Sequence, residues 1–312
     1  MIDVGTRLAE AFGAEHVRHN APLAPLTTFK VGGPAEWLVD LRGSEAVRKA
    51  VAIAEDAGLR VTALGGGSNV LVADGGVRGI VIRVHGGDVR ALDASMVRAD
   101  AGVAINGLVR WTINRGIGGV EAWAGTPGTV GGAIHGNAHF NGRLIGELIA
   151  RVSLVGSGGA IQDVLAGGME FGYDSSRLQH THEIVVAADF HVCRGDPAAL
   201  RATARESLGF RKRTQPLESA SAGCIFQNPD PARDRVPEGI PASAGALVDR
   251  AGLKGVREGA ARVSTTHANF IVNEGGATAR DIRALVDRCK SEVLARFGVA
   301  LREEIVYLGE GI

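Results

Sequence analysis

Two glycine-dense loops constrain this chain more than any other feature: Leu64-Gly65-Gly66-Gly67-Ser68-Asn69 and Gly125-Thr126-Pro127-Gly128-Thr129-Val130-Gly131-Gly132. Glycine lets the main chain approach a ligand closely and reach positive φ at little steric cost, and successive free N–H groups then form an anion cradle. Two cradles in one chain point to a diphosphate held from both sides, as in a dinucleotide cofactor. Neither loop fits the strand-then-helix G-x-G-x-x-G of a Rossmann unit, or G-x-x-x-x-G-K-[ST] of a P-loop. Either loop alone also reads as a structural turn; the pair favours a cradle.

The rest of the composition narrows the class. The 312 residues suffice for two or three domains with proper cores. Lys+Arg and Asp+Glu both number 34, so no net field favours nucleic acid or an anionic membrane. Arg205, Arg211, Lys212 and Arg213 form a local basic run, whose ordinary reading is a solvated helix face. The three cysteines, Cys193, Cys224 and Cys289, cannot all pair, and none belongs to C-x-x-C, so a reducing compartment and no zinc or other metal site are expected. The first residues lack the basic and apolar regions of a signal peptide, and no apolar run approaches the ~20 residues that span a bilayer. A cytoplasmic protein is expected.

Pattern divides the chain into three α+β parts. In residues 1–85, a helix is expected over 7–17. A second, N-capped by Ser44, buries Val47, Ala50, Val51 and Ala54 and stops at Gly58; strands follow at 59–64 and 79–84. Residues 86–204 carry a helix around 104–115, the second glycine loop, and strands at 151–155 and 183–193. A helix over 198–213 ends before Thr214-Gln215-Pro216 and leads into the part 205–312. There Thr278 and Asp281 make a capping-box start for a helix with Ile282, Leu285, Val286, Cys289, Val293, Leu294 and Phe297 on one stripe, closed by Gly298. Cys289 is therefore read as core.

The third informative segment is Ser221-Ala222-Gly223-Cys224-Ile225-Phe226-Gln227-Asn228-Pro229, which places a thiol and an amide in a turn of small residues. A free cysteine is more often buried filler than a reactive group, but Gly223 leaves room for close approach and Asn228 offers a polar partner. With these residues in view, the chain resembles the UDP-N-acetylenolpyruvoylglucosamine reductase family. The resemblance runs through Asn20–Leu23, Thr27–Ala35, both glycine loops, Gln215–Leu217, Ser221–Pro229, Ala251–Gly255, Ser264–Phe270 and Leu301–Ile305, in shared order and spacing. It implies an α+β fold with two FAD-binding subdomains of the vanillyl-alcohol-oxidase type, here 1–85 and 86–204, and a C-terminal substrate-binding domain, 205–312. It also implies a monomeric enzyme of peptidoglycan precursor synthesis. Hydride would pass from NADPH through tightly bound FAD to the enolpyruvyl ether of a UDP-sugar, giving UDP-N-acetylmuramate.

The resemblance carries over roles residue by residue. Cys224 matches the proton donor; an ordinary thiol ionises near ~8.5 and yields its proton far more readily than an alcohol. Glu304, three residues after Leu301, matches the glutamate that polarises the substrate carboxylate, with adjacent Glu303 read as the solvated one. Gln215, Asn228, His267 and Asn269 are carried over as substrate contacts, and Arg211 or Arg213 as a partner for the nucleotide diphosphate. For flavin, main-chain N–H groups of Gly66, Gly67, Ser68 and Asn69, following Gly65, are expected at the diphosphate. Gly125, Thr126, Pro127, Thr129, Gly131 and Gly132 are expected to wall the other side. His16, His135 and His139 carry no functional reading.

One departure stands out. The family pattern is Tyr-Arg-x-Ser, with the arginine helping to hold the substrate carboxylate. Here the text is Phe171-Gly172-Tyr173-Asp174-Ser175-Ser176-Arg177, and a carboxylate at 174 repels an anion. Arg177 is the expected substitute; an impaired reductase is the competing reading. The interval from Arg177 to Gln215 is too short for the tyrosine-bearing lid of one family branch, so the chain reads as lidless. An oxidase on the same scaffold, or a flavin- or nucleotide-binding paralogue without activity, remain as alternatives.

Overall fold

The computed structural model describes residues 3–312. The chain forms two compact units, and they interleave in sequence. One comprises residues up to Ala21, Ala35–Gly66 and Arg78–Phe210; the other comprises Pro22–Pro34, Gly67–Val77 and Arg211–Ile312.

The first unit holds two sheets. A four-stranded sheet runs in the order Val17–Pro22, Pro34–Leu41, Val77–Val84, Val61–Leu64, the last pair parallel. The helix Ser44–Asp56 buries Val47, Ala50, Val51, Ile53 and Ala54. Its N-cap is Gly43 at φ +77, with Ser44 already the first helical residue. A five-stranded antiparallel sheet runs Ile161–Leu165, Ile149–Val155, Ile184–His191, Met96–Asp100, Val89–Ala91. Its central strand, Ile184–His191, is buried on both faces up to Phe190 and encloses Asp189, which takes hydrogen bonds from Arg98 at 2.7 Å and Arg151 at 2.7 Å. Two guanidinium partners satisfy a carboxylate that would otherwise be ruinous to bury.

The second unit packs a three-stranded antiparallel sheet, Arg257–Glu258, Ala261–Val263 and Ile271–Asn273, with the long helix Ala279–Phe297. Thr278 and Asp281 form the capping box, and Gly298 closes the helix at φ +68. Cys289 is core, with burial pushing its thiol up to about 12 against the charge of Arg288. Leu294 is the exception on the apolar stripe: it is exposed. Phe29, Val31 and Leu71 belong to this core as well. The early segments are tied in by polar contacts too. Asp74 accepts from the helix amides of Ala279 at 2.8 Å and Arg280 at 3.2 Å, a carboxylate at the positive end of a helix. Val306–Leu308 pairs in parallel with Val70–Val72.

Candidate active site

In the first unit the two glycine loops meet. A Cβ on Gly66 would lie 2.6 Å from the Cα of Gly128, and one on Gly65 would lie 2.5 Å from Oγ1 of Thr129. Side chains at 65 and 66 would force the loops apart. In the second loop the amides of Gly125, Thr126 and Gly131 are engaged by Asn106 Oδ1, Trp123 O and Ala101 O. Those bonds make the loop a fixed wall. The backbone from Gly65 to Asn69 runs as bends without turn hydrogen bonds, which suits it to offer amides to an anion. The residues fit a flavin diphosphate.

In the second unit backbone pairing joins the segment after Cys224 to the segment that ends at Glu304. The Glu304 amide donates to Ile225 O at 2.8 Å, Phe226 bridges Glu303, and the Gln227 amide donates to Arg302 O at 2.9 Å. Asn69 reaches the same segment, its Nδ2 donating to Glu304 O at 3.1 Å. Next to these segments lies Asn269. Its Oδ1 accepts from the Phe226 amide at 2.9 Å, its Nδ2 donates to Phe226 O at 2.7 Å, and its carbonyl accepts from the Ile225 amide. Asn269, expected as a substrate contact, is 3% exposed and holds the Phe226 backbone on both its amide and carbonyl.

The neighbouring side chains differ in how far they are committed. Asn228 Oδ1 accepts from the Ala244 amide at 3.1 Å. His267 Nδ1 accepts from the Asn269 amide at 3.2 Å, and the ring packs edge-on to Phe270. Burial, reinforced by the charge of Lys254, pulls the His267 pKa down and favours the neutral ring. Arg211 departs from the solvated-face reading of its run: it is 7% exposed, while Lys212 and Arg213 are exposed. Burial brings its pKa down to about 10, opposed by the charge of Cys224, so guanidinium and thiol lie within electrostatic reach. Gln215 accepts weakly from Arg211 at 3.5 Å.

Two expectations are corrected. Glu303 is not solvated: its carboxylate pairs with Arg283 at 3.0 Å and with Lys290. Burial works against that charge, but the hydrogen bond from Lys290 and the charges of Arg283 and Lys290 hold the pKa below the ordinary range. Arg177, expected to substitute for the missing arginine, is engaged elsewhere. Its Nε donates to Glu183 at 2.9 Å and its Nη1 to Gly168 O at 3.2 Å. It faces a cavity of about 450 Å³ lined by Ser157, Gln162, Glu170, His180 and Glu183, which contains none of the other site residues. Guanidinium and carboxylate six residues apart made a local ion pair.

Residues 215–308 match the family model described as UDP-N-acetylenolpyruvoylglucosamine reductase, C-terminal domain, and residues 35–164 match that of an FAD binding domain. A protein of Symbiobacterium thermophilum named UDP-N-acetylenolpyruvoylglucosamine reductase 2 is 39% identical, covering 94% of this chain and 92% of its own length. The chain belongs to the UDP-N-acetylenolpyruvoylglucosamine reductase family. A family relative from Gloeobacter violaceus is 36% identical over 96% of the chain and 98% of its own. The crystal structure of the Thermus caldophilus reductase superposes with a TM-score of 0.77 at 32% identity, covering 94% of this chain and 98% of that one. The family fold is therefore this chain's fold: an α+β flavin-binding region followed by the reductase C-terminal domain. Among the described residues no helix is long and apolar enough to cross a membrane.

Proposed function

We propose that this chain reduces UDP-N-acetylglucosamine enolpyruvate to UDP-N-acetylmuramate, with FAD as cofactor and NADPH as hydride donor, as a cytoplasmic step of peptidoglycan precursor synthesis. The observation that supports this reading is the backbone pairing of Ile225–Gln227, next to Cys224, with Arg302–Glu304 within the region matched to the reductase C-terminal domain. When bound, FAD supplies hydride chemistry that no side chain offers. Gly65–Asn69 and Gly125–Gly132 would hold its diphosphate, and 205–312 would bind the substrate. Cys224 Sγ gives its proton to the vinyl carbon that hydride does not attack. The thiolate left behind is favoured by the buried guanidinium of Arg211, with which Cys224 interacts. Glu304 hydrogen-bonds the substrate carboxylate as negative charge develops there. Asn228, His267 and Gln215 orient the sugar nucleotide, and Arg213, exposed, meets its diphosphate.

An anaerobic half-reaction experiment tests this. NADPH should bleach the flavin absorbance, and the enolpyruvyl substrate should restore it within one turnover. Bleaching reversed only by oxygen would favour an oxidase; protein purified without flavin, and unable to take it up, would remove the cradle argument.

A further inference from the structure

The second glycine loop is held at both ends by one short stretch of chain, residues 103–106. At its far end the hold is backbone pairing. The Ile105 amide donates to Gly128 O at 3.1 Å, the Val130 amide donates to Val103 O at 2.9 Å, and Ala104 bridges Thr129. At its near end the hold is a single side chain. Asn106 Oδ1 accepts from the Gly125 amide at 2.7 Å, and its Nδ2 donates to Thr126 O at 3.2 Å. A carboxamide carries the donor and the acceptor of a peptide group. Asn106 therefore extends the pairing where the backbone itself turns away into the helix Ile105–Ile113. Its partners also fix which way the amide points, since a peptide N–H only donates and a carbonyl only accepts.

Neither the core nor the helix makes use of that side chain. Asn106 is exposed, the helix buries Ile105, Leu108, Val109, Thr112 and Ile113 instead, and its N-cap is Ala104. Asparagine is also a poor helix former. What Asn106 holds is the part of the loop with most freedom to lose. Gly125 at φ +84 and Gly128 at φ +97 bracket the exposed Pro127, and glycine gives up more conformational freedom on folding than any other residue. Just beyond, the amides of Gly128 and Thr129 have no hydrogen-bond partner among the described residues, although Thr129 is only 8% exposed. Gly65 and Gly66 press against the same two residues. Unpaired amides beside a second glycine run are the means by which a loop binds an anion. Their placement depends on how the arm that precedes them is set.

We propose that Asn106 is a flavin-positioning residue: by clamping Gly125 and Thr126 it fixes the second glycine loop in the form that receives the cofactor's diphosphate. It acts through the loop and takes no part in the chemistry. This rests on the flavin reading of the two loops and is independent of the substrate.

The test is release of FAD from the holoprotein, followed as flavin fluorescence after dilution. The visible circular dichroism of the bound flavin and the melting temperature of the FAD-stripped protein are measured alongside. The variants are Asn106→Ala, Asn106→Asp and, as a control at the exposed C-cap of the same helix, Asn114→Ala. Loss of two neutral hydrogen bonds should speed release from Asn106→Ala roughly tenfold. The flavin dichroism should change, and the stripped protein should melt near the stripped wild type. Asn106→Asp keeps an acceptor for Gly125 but, ionised, has no donor for Thr126, so it should release FAD faster than wild type as well. Wild-type release from Asn106→Ala overturns the proposal, and wild-type release from Asn106→Asp overturns the two-ended clamp. Faster release with unchanged dichroism and a lowered melting temperature of the stripped protein marks a packing role and also overturns it. So does release from Asn114→Ala as fast as from Asn106→Ala, since the effect then belongs to the helix at large. Wild-type protein that holds no FAD and takes none up overturns the flavin reading itself.

Discussion

In the proposed reaction the Cys224 thiol supplies the proton. A proton donor typically contributes ~10²–10⁴-fold to rate, so Cys224→Ala should accept hydride from NADPH yet stall against the enolpyruvyl substrate by about that factor. Cys224→Ser should keep substantial turnover, since a hydroxyl occupies the same place with a proton to give. Stopped-flow traces of the two half-reactions separate these outcomes, and multiple-turnover activity at the wild-type rate in the alanine variant would remove Cys224 from the mechanism. Arg211 sharpens the expectation. A guanidinium stabilises a thiolate, whereas an alkoxide is far less accessible, so the serine variant should lose part of the rate even with geometry kept. Cys224 and Glu304 were singled out in the sequence because each lies in a motif-bearing segment, Ser221–Pro229 and Leu301–Ile305. The Arg211–Cys224 approach was not, since a basic run on a helix gives no sign of which member turns inward.

Glu303 and Glu304 show how an element sorts two identical side chains. Successive residues of an extended segment point to opposite sides; Glu303 meets Arg283 and Lys290 on the helix Ala279–Phe297, while the Glu304 backbone pairs with Ile225. The pairing of Glu303 lowers its pKa in the folded protein. A carboxylate depressed on folding contributes stability that is whole above its unfolded value near ~4.3 and is lost as pH falls through the lower folded value. Glu303→Gln should therefore destabilise the protein at neutral pH and make its melting temperature fall less steeply below pH ~4.3. An unchanged acid limb would mean the carboxylate titrates alike in both states. Local pattern anticipated such elements well: the capping box at Thr278, the stop at Gly298 and the strands expected at 59–64 and 79–84 appear where periodicity and turn chemistry put them, while Val70–Val72 after the glycine loop was missed. It failed where partners are distant in sequence. His139 and Asp174 are 35 residues apart, and no spacing rule links them. The Arg177–Glu183 pair went unread for the opposite reason, since its partners are close in sequence.

The arrangement of the chain into two interleaved units follows from where apolar residues find cover. Division by chain order places 22–34 and 67–77 with their sequence neighbours, but Phe29, Val31 and Leu71 are buried in the core built by residues after 211. The first unit keeps Gly65 and Gly66 against Gly128 and Thr129, at distances that leave no room for a side chain. That packing links the stability of the whole molecule to its cofactor. A ligand that binds only the native state adds stability as RT ln(1 + [L]/Kd), about 2.7 kcal/mol at a hundredfold excess over Kd. Stripping FAD should therefore lower the melting temperature of the wild type, and returning FAD should restore it in a concentration-dependent way. Gly66→Ala tests whether the two loops are the linkage. Its methyl group would press on the Gly128 backbone, a neighbour that cannot swing aside as a flexible side chain would. The variant should melt near the apo wild type, carry little flavin, and show no rise in melting temperature on adding FAD. Retention of flavin with a wild-type ligand-dependent shift would mean that the cofactor is held elsewhere and that the close approach of the loops serves packing alone.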